Sequence, residues 1–298
     1  MPPHTTVPQA FPYRGSKTRL TAFLSGHVPT GTKTLLSLFA GSGVFEYNYA
    51  HDHPDARVIC YEIDRRIVNF HARLSDDAAQ LYGAIVALNE SLSQMSKDKF
   101  TSLNKSLGCT TLEDAAAFYV VAVNSFGGKL GSYGHKRSFA VPKYMLTTRI
   151  PGNMRVVHGD AFEAIRTAGD YGEGTFVYMD PPYHMNNGHY NSVRNNKFDH
   201  GALARAVSAL PRSVRWALSY NDVPEVRDLY GVEGKTENEH YFRPACKHIL
   251  NNANSNANEI LITGTAVGTH PFGCDRASQP RYCANTVRRI ESPYTHRS

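Results

Sequence analysis

The sequence predicts an α/β protein whose core is a doubly wound, mostly parallel sheet. Short apolar runs, each bounded by glycine, proline or polar clusters, recur along the chain, and helical patterns lie between several of them. Strands that alternate with helices are typical of parallel sheets covered on both faces. The 298 residues, 41% of them hydrophobic, are enough for one large domain or for one domain with an insertion.

Six of these apolar runs predict buried strands. They cover residues 34–39, 56–63, 155–159, 175–179, 214–220 and 259–264. Helical patterns at 201–210 and 224–231 separate the later strands. In a doubly wound sheet the first and fourth strands would end side by side where the strand order reverses, which is where open α/β sheets bind ligands.

The alternation breaks between about residues 75 and 153, which predicts an inserted, mainly helical segment. "TTLEDAAAFYVVAVN" (110–124) indicates a helix, with Thr110 as its N-cap and Glu113 three residues later, as in a capping box. The stretch that follows, "SFGGKLGSYGHKRSFAVPKY" (125–144), is rich in glycine, basic and aromatic residues. We interpret it as a basic loop or hairpin at the end of the insertion.

Charge and cysteine content limit the partners and the compartment. The net charge of +6 and the pI near 9.0 suit a polyanionic partner. Five cysteines without a CxxC pair favour a reducing compartment, and the spacing of His270, Cys274 and Cys283 fits no common zinc site. No apolar run is long enough for a membrane span, and the first ten residues predict a flexible tail rather than a signal peptide. We therefore expect a cytoplasmic protein without a metal.

A glycine-rich turn follows the first predicted strand. "LLSLFAGSGVFEY" (35–47) places Gly41 and Gly43 before a helix, where glycine permits a tight turn and close approach by a ligand. The turn lacks the residues of a dinucleotide-binding motif or a phosphate-binding loop, which disfavours nicotinamide cofactors and ATP. Glu62, near the end of the next strand, could accept hydrogen bonds from two ribose hydroxyls, or could simply face solvent. Together the features favour a nucleoside-containing cofactor.

The segment "DPPY" (180–183) follows the fourth predicted strand. Each proline fixes its own φ and carries no N–H, so the carbonyls beside Asp180 are held by a stiff chain with few competing donors. Asp180 and one such carbonyl would accept hydrogen bonds from a substrate amino group, and a planar base could stack on Tyr183. A simple proline turn explains the prolines, but not the acid, the ring and the glycine turn together.

Five segments stand in the order typical of one enzyme family. They are "YRGSK" (13–17), "FAGSG" (39–43), "YEID" (61–64), "DPPY" (180–183) and "NEILIT" (258–263). The chain thereby resembles Dam-like DNA adenine-N6 methyltransferases over most of residues 11–265, and "FAVPKY" (139–144) resembles the end of that family's DNA-contacting hairpin. The resemblance implies a Rossmann-like methyltransferase sheet, S-adenosyl-L-methionine as cofactor, and adenine flipped out of double-stranded DNA as substrate.

The resemblance also implies roles for individual residues. The implied cofactor contacts are Tyr13, Lys17, Phe39, Gly41, Gly43, Glu62, Asp160 and Asp180. The implied catalytic residues are Asp180, Pro181, Pro182 and Tyr183, with Asp180 accepting from the target N6 and Tyr183 stacking on the base. The residues expected to contact nucleic acid are Phe126, Lys129, Tyr133, Lys136, Arg137 and Lys143, with Tyr133 or Phe126 wedging into the gap that the base leaves.

Two departures from the family pattern stand out. Ser37 and Leu38 occupy positions where the family usually has an acid and a proline, so one cofactor-facing carboxylate is expected to be missing. The basic loop does not copy the version that reads GATC, so that recognition sequence is not carried over.

The sequence predicts four parts: a flexible tail (1–10), a catalytic domain (11–74 and 154–268), a target-recognition insertion (75–153) and a C-terminal extension (269–298). We expect a monomer of bacterial or viral origin. Three alternatives stay open: an adenine-N6 methyltransferase of ribosomal or other RNA, a cytosine-N4 methyltransferase, and a DNA-binding homologue with impaired catalysis. Restriction-linked, regulatory and viral self-protection roles are not separated by the sequence.

Overall fold

The computed structural model describes residues 7–92, 94–134, 150–184, 198–231, 241–242 and 259–265. Its strands are β1 (Thr34–Leu38), β2 (Arg57–Glu62), β3 (Met154–His158), β4 (Thr175–Met179), β5 (Arg215–Asn221), β6 (Tyr241–Phe242) and β7 (Glu259–Thr265). The six strands expected from the sequence are confirmed to within one residue at each end. The short strand β6 was not among them.

The strands form one sheet in the order β3-β2-β1-β4-β5-β7-β6. β1 pairs in parallel with β2 and β4, and β3 and β5 extend the parallel part on either side. β7 lies antiparallel between β5 and β6. Leu38 and Met179 are register partners, so β1 and β4 end side by side where the strand order reverses. The predicted doubly wound, Rossmann-like sheet is therefore confirmed.

Helices cover both faces of this sheet. They are α1 (Thr21–His27), α2 (Val44–Asp52), α3 (Arg65–Asp76), α4 (Ala78–Leu92), α5 (Lys97–Lys105), α6 (Leu112–Asn124), α7 (Ala161–Arg166), α8 (His200–Ser208) and α9 (Pro224–Tyr230). Successive strand residues point to opposite faces: Leu35 joins a core with α1–α6, and Leu36 joins a core with α7–α9. In the described ranges no helix combines the length and the apolar character that crossing a membrane requires.

The helices expected in the insertion pack against the core of the sheet. In α6, the rings of Phe118 and Tyr119 lie 5.8 and 5.9 Å from the ring of Phe70 in α3. Leu81 of α4 is buried in the same cluster. The helical part of residues 75–153 therefore belongs to the layer on one face of the sheet. The division into catalytic and target-recognition domains stays a prediction.

The N-cap of α6 lies one residue later than predicted. Thr111, rather than Thr110, caps the helix: its hydroxyl oxygen accepts from the N–H of Asp114 at 3.0 Å. The carboxylate of Asp114 accepts in turn from the N–H groups of Thr111 and Thr110, each at 3.0 Å. Two adjacent threonines followed by the acids Glu113 and Asp114 allow either register in sequence, and the second register forms the capping box.

Thr111→Ala is expected to lower the free energy of unfolding by about 1 kcal/mol, because the amide of Asp114 loses its acceptor. Thr110→Ala is the matched control. It removes the same side-chain atoms one residue earlier and keeps the backbone N–H that Asp114 accepts, so its effect is expected to stay within about 0.5 kcal/mol. Urea unfolding followed by circular dichroism measures both variants. Equal losses would contradict the assigned cap.

Candidate active site

The turn after β1 is built from left-handed backbone. Phe39, Gly41 and Gly43 have φ angles of 66°, 52° and 67°. A non-glycine residue such as Phe39 carries strain of about 1–3 kcal/mol in this conformation. The N–H groups of Phe39 and Ala40 both donate to the carbonyl of Tyr61, at 3.1 and 3.2 Å. These bonds to the end of β2 hold the strained turn in place.

Gly41 is held on both sides by buried side chains. Its N–H donates to Oε2 of Glu62 at 2.9 Å, and its carbonyl oxygen lies 2.9 Å from Nε2 of His71. A carbonyl only accepts, so Nε2 of His71 carries the proton, and Nδ1 accepts from the hydroxyl of Tyr47 at 2.6 Å. Burial lowers the pKa of His71 to about 4, which keeps the ring neutral. A chain of hydrogen bonds from α2 and α3 thus shapes the turn.

Tyr13 packs on the turn from the N-terminal segment. A Cβ placed on Gly41 would lie 2.6 Å from Cε1 of Tyr13, so only glycine permits this contact. The ring of Tyr13 also meets the buried ring of Phe11 edge-on, with 5.9 Å between centroids. The "YRGSK" segment and the glycine turn, far apart in sequence, are therefore neighbours.

The two acids expected on the cofactor side differ in their surroundings. Glu62 is buried, its Oε1 accepts from the N–H of Asp64 at 2.9 Å, and burial raises its pKa. Asp160 is exposed and caps α7, with Oδ1 accepting from the N–H groups of Phe162 and Glu163 at 2.8 and 3.3 Å. Glu62 ends β2 and Asp160 follows β3, so both acids lie at the carboxyl edge of the parallel strands. Their roles toward a cofactor stay predictions.

A partly buried ion pair joins the N-terminal segment to the end of β4. Nζ of Lys17 lies 2.7 Å from both carboxylate oxygens of Asp180, and it also donates to the carbonyl of Gly15 at 3.1 Å. The two side chains are 6% and 21% exposed.

Burial raises the pKa of Asp180 to about 6, against the opposing effect of Lys17. Burial lowers the pKa of Lys17. The charges of Asp180 and Glu259 together have a larger effect and raise the pKa of Lys17 well above its ordinary value. Both groups are therefore ionised at neutral pH.

Glu259 is a third charged group at this point, and the sequence analysis gave it no role. It lies at the start of β7, opposite Asn221 of β5, and its Oε1 is 3.1 Å from Nζ of Lys17. The "NEILIT" segment contains it, but a single glutamate at a strand end gives no sign of its partner. The antiparallel strand thus brings a second acid to the same lysine.

The backbone after "DPPY" is fixed by Asn221. Its side-chain amide accepts from the N–H of His184 at 2.9 Å and donates to the carbonyl of His184 at 3.0 Å. At the other end of the segment, the N–H of Asp180 donates to the carbonyl of Leu38 at 3.3 Å. The ring centroid of Tyr183 lies 5.7 Å from Nζ of Lys17, within the range of a cation–π contact. The loop is therefore held between β1 and β5.

A carboxyl group lies beside Ser37 although the strand has no acid there. The hydroxyl of Ser37 donates to Oε1 of Glu46 in α2. Glu46 is only 4% exposed, and burial raises its pKa to about 7, against the opposing hydrogen bond from Ser37. The helix that follows the glycine turn thus supplies an acid close to the position where the family usually has one. Glu46 stands among apolar residues in the sequence, so its contact with Ser37 could not be predicted.

Three of the residues expected to contact nucleic acid lie in the described part of the chain, and of these Phe126 is the most exposed. It is 53% exposed, and its turn abuts the N-terminal segment, since the N–H of Arg14 donates to the carbonyl of Gly128 at 3.1 Å. Lys129 is half-buried in the same turn. Lys136, Arg137 and Lys143 lie outside the described residues.

Tyr133 is tied into the helical layer. Its hydroxyl donates to the carbonyl of Met95 at 2.9 Å, and its ring lies 5.3 Å from the ring of Phe100. This packing favours Phe126 over Tyr133 as the residue that could enter a nucleic acid.

Within the described ranges, no group of three His, Cys, Asp or Glu side chains is arranged to hold a metal ion. The charged centre consists of one lysine and its two acids, and the glycine turn is held by hydrogen bonds. Such an arrangement can bind amines and hydroxyls through its acceptors.

His71→Gln is expected to remove part of the acid sensitivity of the fold. The pKa of His71 is about 4 in the folded chain and 6.5 ordinarily, so the unfolded chain takes up the proton first as the pH falls. The neutral ring therefore adds to the free energy of unfolding, and this contribution is complete above pH 6.5 and is lost as the pH falls toward 4. Roughly 2 kcal/mol of it is lost by about pH 5. Glutamine does not titrate and keeps an N–H donor.

Urea unfolding near neutral pH and at about pH 5 measures this difference. The fall in the free energy of unfolding is expected to be smaller in His71→Gln than in the wild type. The same fall in both proteins would contradict the neutral state assigned to the buried ring.

Comparison with known proteins places the chain in a family. No curated protein matches it. Among solved structures it is similar to that of SMU.776, a candidate methyltransferase complexed with SAH. The two are 12% identical with a TM-score of 0.36 over 83% of this chain and 48% of that one. This chain therefore spans about half the length of that protein. The family model that matches covers residues 13–242, which is most of the chain. The chain belongs to the D12 class N6 adenine-specific DNA methyltransferase family.

Proposed function

We propose that the chain is a site-specific methyltransferase that transfers a methyl group from S-adenosyl-L-methionine to N6 of adenine in double-stranded DNA. One observation carries the proposal. Asp180 and Tyr183 stand at the end of β4, beside the glycine turn at the end of β1, where the strand order reverses. An acceptor for an amine and a turn suited to a nucleoside-containing cofactor share one edge of the sheet. The family match supports adenine N6 as the target.

Asp180 would act on the target amine. The exocyclic amine of adenine is a poor nucleophile because its lone pair is delocalised into the ring. Hydrogen bonds from this amine to Asp180 and to a backbone carbonyl of "DPPY" would favour a pyramidal nitrogen with a localised lone pair. With a pKa of about 6, Asp180 is ionised at neutral pH and can accept these bonds. Positioning of the amine and preorganised acceptors are then the main contributions of the protein to the rate of methyl transfer.

The methyl transfer leaves one proton to be removed from the nitrogen. When bound, S-adenosyl-L-methionine supplies a methyl group activated by its sulfonium, and the electrons of the broken carbon–sulfur bond stay on sulfur. The nitrogen lone pair forms the new nitrogen–carbon bond. A carboxylate oxygen of Asp180 can then take the surplus proton from the nitrogen and release it to water, since its pKa of about 6 lies close to neutrality.

The residues around the glycine turn fit such a cofactor. The two oxygens of Glu62 accept from the amides of Gly41 and Asp64, and each carboxylate oxygen has a second acceptor position. We propose that the ribose hydroxyls use these positions. Ile63, which is 49% exposed directly after Glu62, offers an apolar surface for an adenine ring. The other proposed cofactor contacts are Tyr13, Phe39, Gly43 and Asp160.

The resemblance implies a cofactor contact for Lys17, but its ammonium lies between Asp180 and Glu259. We propose that its first role is to compensate the buried charge of Asp180. Without a cation, burial would favour the protonated acid, which lacks the negative charge that makes a carboxylate a strong acceptor for the amine.

Double-stranded DNA is the proposed partner, with the adenine flipped out of the helix. A stacked base cannot reach a carboxylate in a pocket at a sheet edge, and unstacking it costs a few kcal/mol. Stacking on Tyr183 would offset part of this cost. Phe126 would fill the gap in the duplex, while Lys129, Lys136, Arg137 and Lys143 would contact phosphates or bases.

Asp180→Ala is expected to reduce methyl transfer to adenine-containing DNA by at least about 100-fold, because the amine loses its charged acceptor. The fold is expected to persist, since Glu259 still pairs with Lys17. Transfer of labelled methyl from S-adenosyl-L-methionine to a duplex measures the activity, and circular dichroism checks the fold. Asp170→Ala, an exposed acid before β4, is the control and is expected to retain full activity. Full activity in Asp180→Ala would contradict the proposed role of Asp180 as the acceptor for the target amine.

Phe126→Ala is expected to slow methylation of duplex DNA more than that of single-stranded DNA, by about tenfold in the ratio of rates. Only a duplex leaves a gap that a wedge must fill. Ile63→Ala is the matched control, because it removes a comparably exposed apolar side chain on the cofactor side and is expected to leave the ratio unchanged. An unchanged ratio in Phe126→Ala would exclude it as the wedge.

The nature of the product separates the proposal from its alternatives. Assays on duplex DNA, single-stranded DNA and RNA, followed by nucleoside analysis, are expected to give N6-methyladenine in duplex DNA. Methylation confined to RNA, or methylation of cytosine N4, would support those alternatives. A chain that does not bind S-adenosyl-L-methionine in calorimetry would be a DNA-binding homologue without catalysis.

A further inference from the structure

Nζ of Lys17 faces two carboxylates that lie at the ends of different strands. It lies 2.7 Å from each oxygen of Asp180, at the end of β4, and 3.1 Å from Oε1 of Glu259, at the start of β7. The side chain of Glu259 is 9% exposed. One cation therefore serves two acids in a site that is largely closed to solvent.

The two acids are not served equally. An ammonium group has three N–H donors, and those of Lys17 go to the two oxygens of Asp180 and to the carbonyl of Gly15. Oε1 of Glu259 is buried and accepts no hydrogen bond from the described residues, although Nζ is close by. A buried oxygen without a donor is costly. Glu259 therefore gains a hydrogen bond if Lys17 turns toward it.

The proposed function adds a second donor to Asp180. The target amine must donate an N–H to Asp180, while Lys17 already donates to both of its oxygens, each of which keeps one further acceptor position. A rotation of Nζ toward Glu259 would leave one oxygen of Asp180 to the amine alone, which makes that oxygen a stronger acceptor. It would do so without leaving a buried cation unpaired, which is the outcome that costs most.

We propose that Glu259 is a positioning residue for the methyl transfer, and that it takes over the hydrogen bond of Lys17 when the target amine binds Asp180. This inference rests on the proposed function. The exchange replaces one acceptor by another, so the number of charges in the site stays constant. Glu259 acts on the amine only through Lys17 and Asp180.

The exchange has a signature in the pH dependence of the reaction. Among the described residues, the other titratable groups that face the three charges are Glu46 of α2, Tyr178 of β4 and Tyr183. After the larger effects of burial and of Lys17, Glu259 raises the pKa of Asp180. Replacing Glu259 by glutamine therefore lowers the pKa of Asp180. Protonation of Asp180 ends activity on the acid side, so the acid limb of kcat/KM moves to lower pH.

Glu259→Gln is the test, and Glu90→Gln, which removes an equal charge from the exposed side of α4, is the matched control. With duplex DNA at neutral pH, Glu259→Gln is expected to lower kcat/KM by about tenfold or more, because Lys17 stays on Asp180. The acid limb is expected at lower pH than in the wild type. The Kd for S-adenosyl-L-methionine is expected to stay within about twofold of the wild-type value, since the amine side alone is altered. Glu90→Gln is expected to match the wild type throughout.

Two results would overturn the inference. If the wild type methylates adenine and Glu259→Gln has the same kcat/KM and acid limb, the inference fails alone. If the wild type does not methylate adenine in DNA, both the proposed function and the inference that rests on it are wrong. If Glu259→Gln does not fold, the inference can be tested by a crystal structure of the wild type. The crystals would contain S-adenosylhomocysteine and an adenine-containing duplex. Lys17 bonded to Glu259 would support the exchange, and Lys17 still bonded to both oxygens of Asp180 would overturn it.

Discussion

The contact between the buried Lys17 and Asp180 is the constraint on which the rest of the site depends. It joins a segment before α1 to the end of β4, 163 residues apart in sequence. A buried charge is tolerated only with its partner in place, so the N-terminal segment has to dock before the acceptor at the end of β4 is complete. Glu259 of β7 adds a third part of the chain to this requirement. Folding of the sheet and formation of the proposed amine acceptor are therefore linked.

The proposed cofactor side depends on a separate set of contacts around Gly41. Glu62 from β2 holds its N–H, and His71 from α3 holds its carbonyl through a ring that burial keeps neutral. Tyr13 packs on the same glycine. Because Tyr13 and Lys17 belong to one short segment, that segment contacts both sides of the site. If the proposed function holds, a stretch of chain outside the sheet sets the position of the target amine relative to the cofactor.

The parts of the structure that follow from local pattern could be predicted from the sequence. Each buried strand is an apolar run between turn residues, and the alternation of strands and helices brought "DPPY" next to the glycine turn. The cap of α6 could not be placed, because Thr110 and Thr111 are each followed three residues later by an acid. Glu46, His71, Asn221 and Glu259 were missed for one physical reason. Each is a polar residue within or at the end of an apolar pattern, and its role comes from a partner distant in sequence.

Sequencing of methylated bases in DNA from cells that express the chain tests the central claim most directly. Both the wild type and Asp180→Ala should be expressed in a host that lacks adenine methylation of its own. The account predicts N6-methyladenine at a fixed sequence context with the wild type and none with Asp180→Ala. Unmethylated adenine with the wild type, or the same adenine methylation with both proteins, would contradict it.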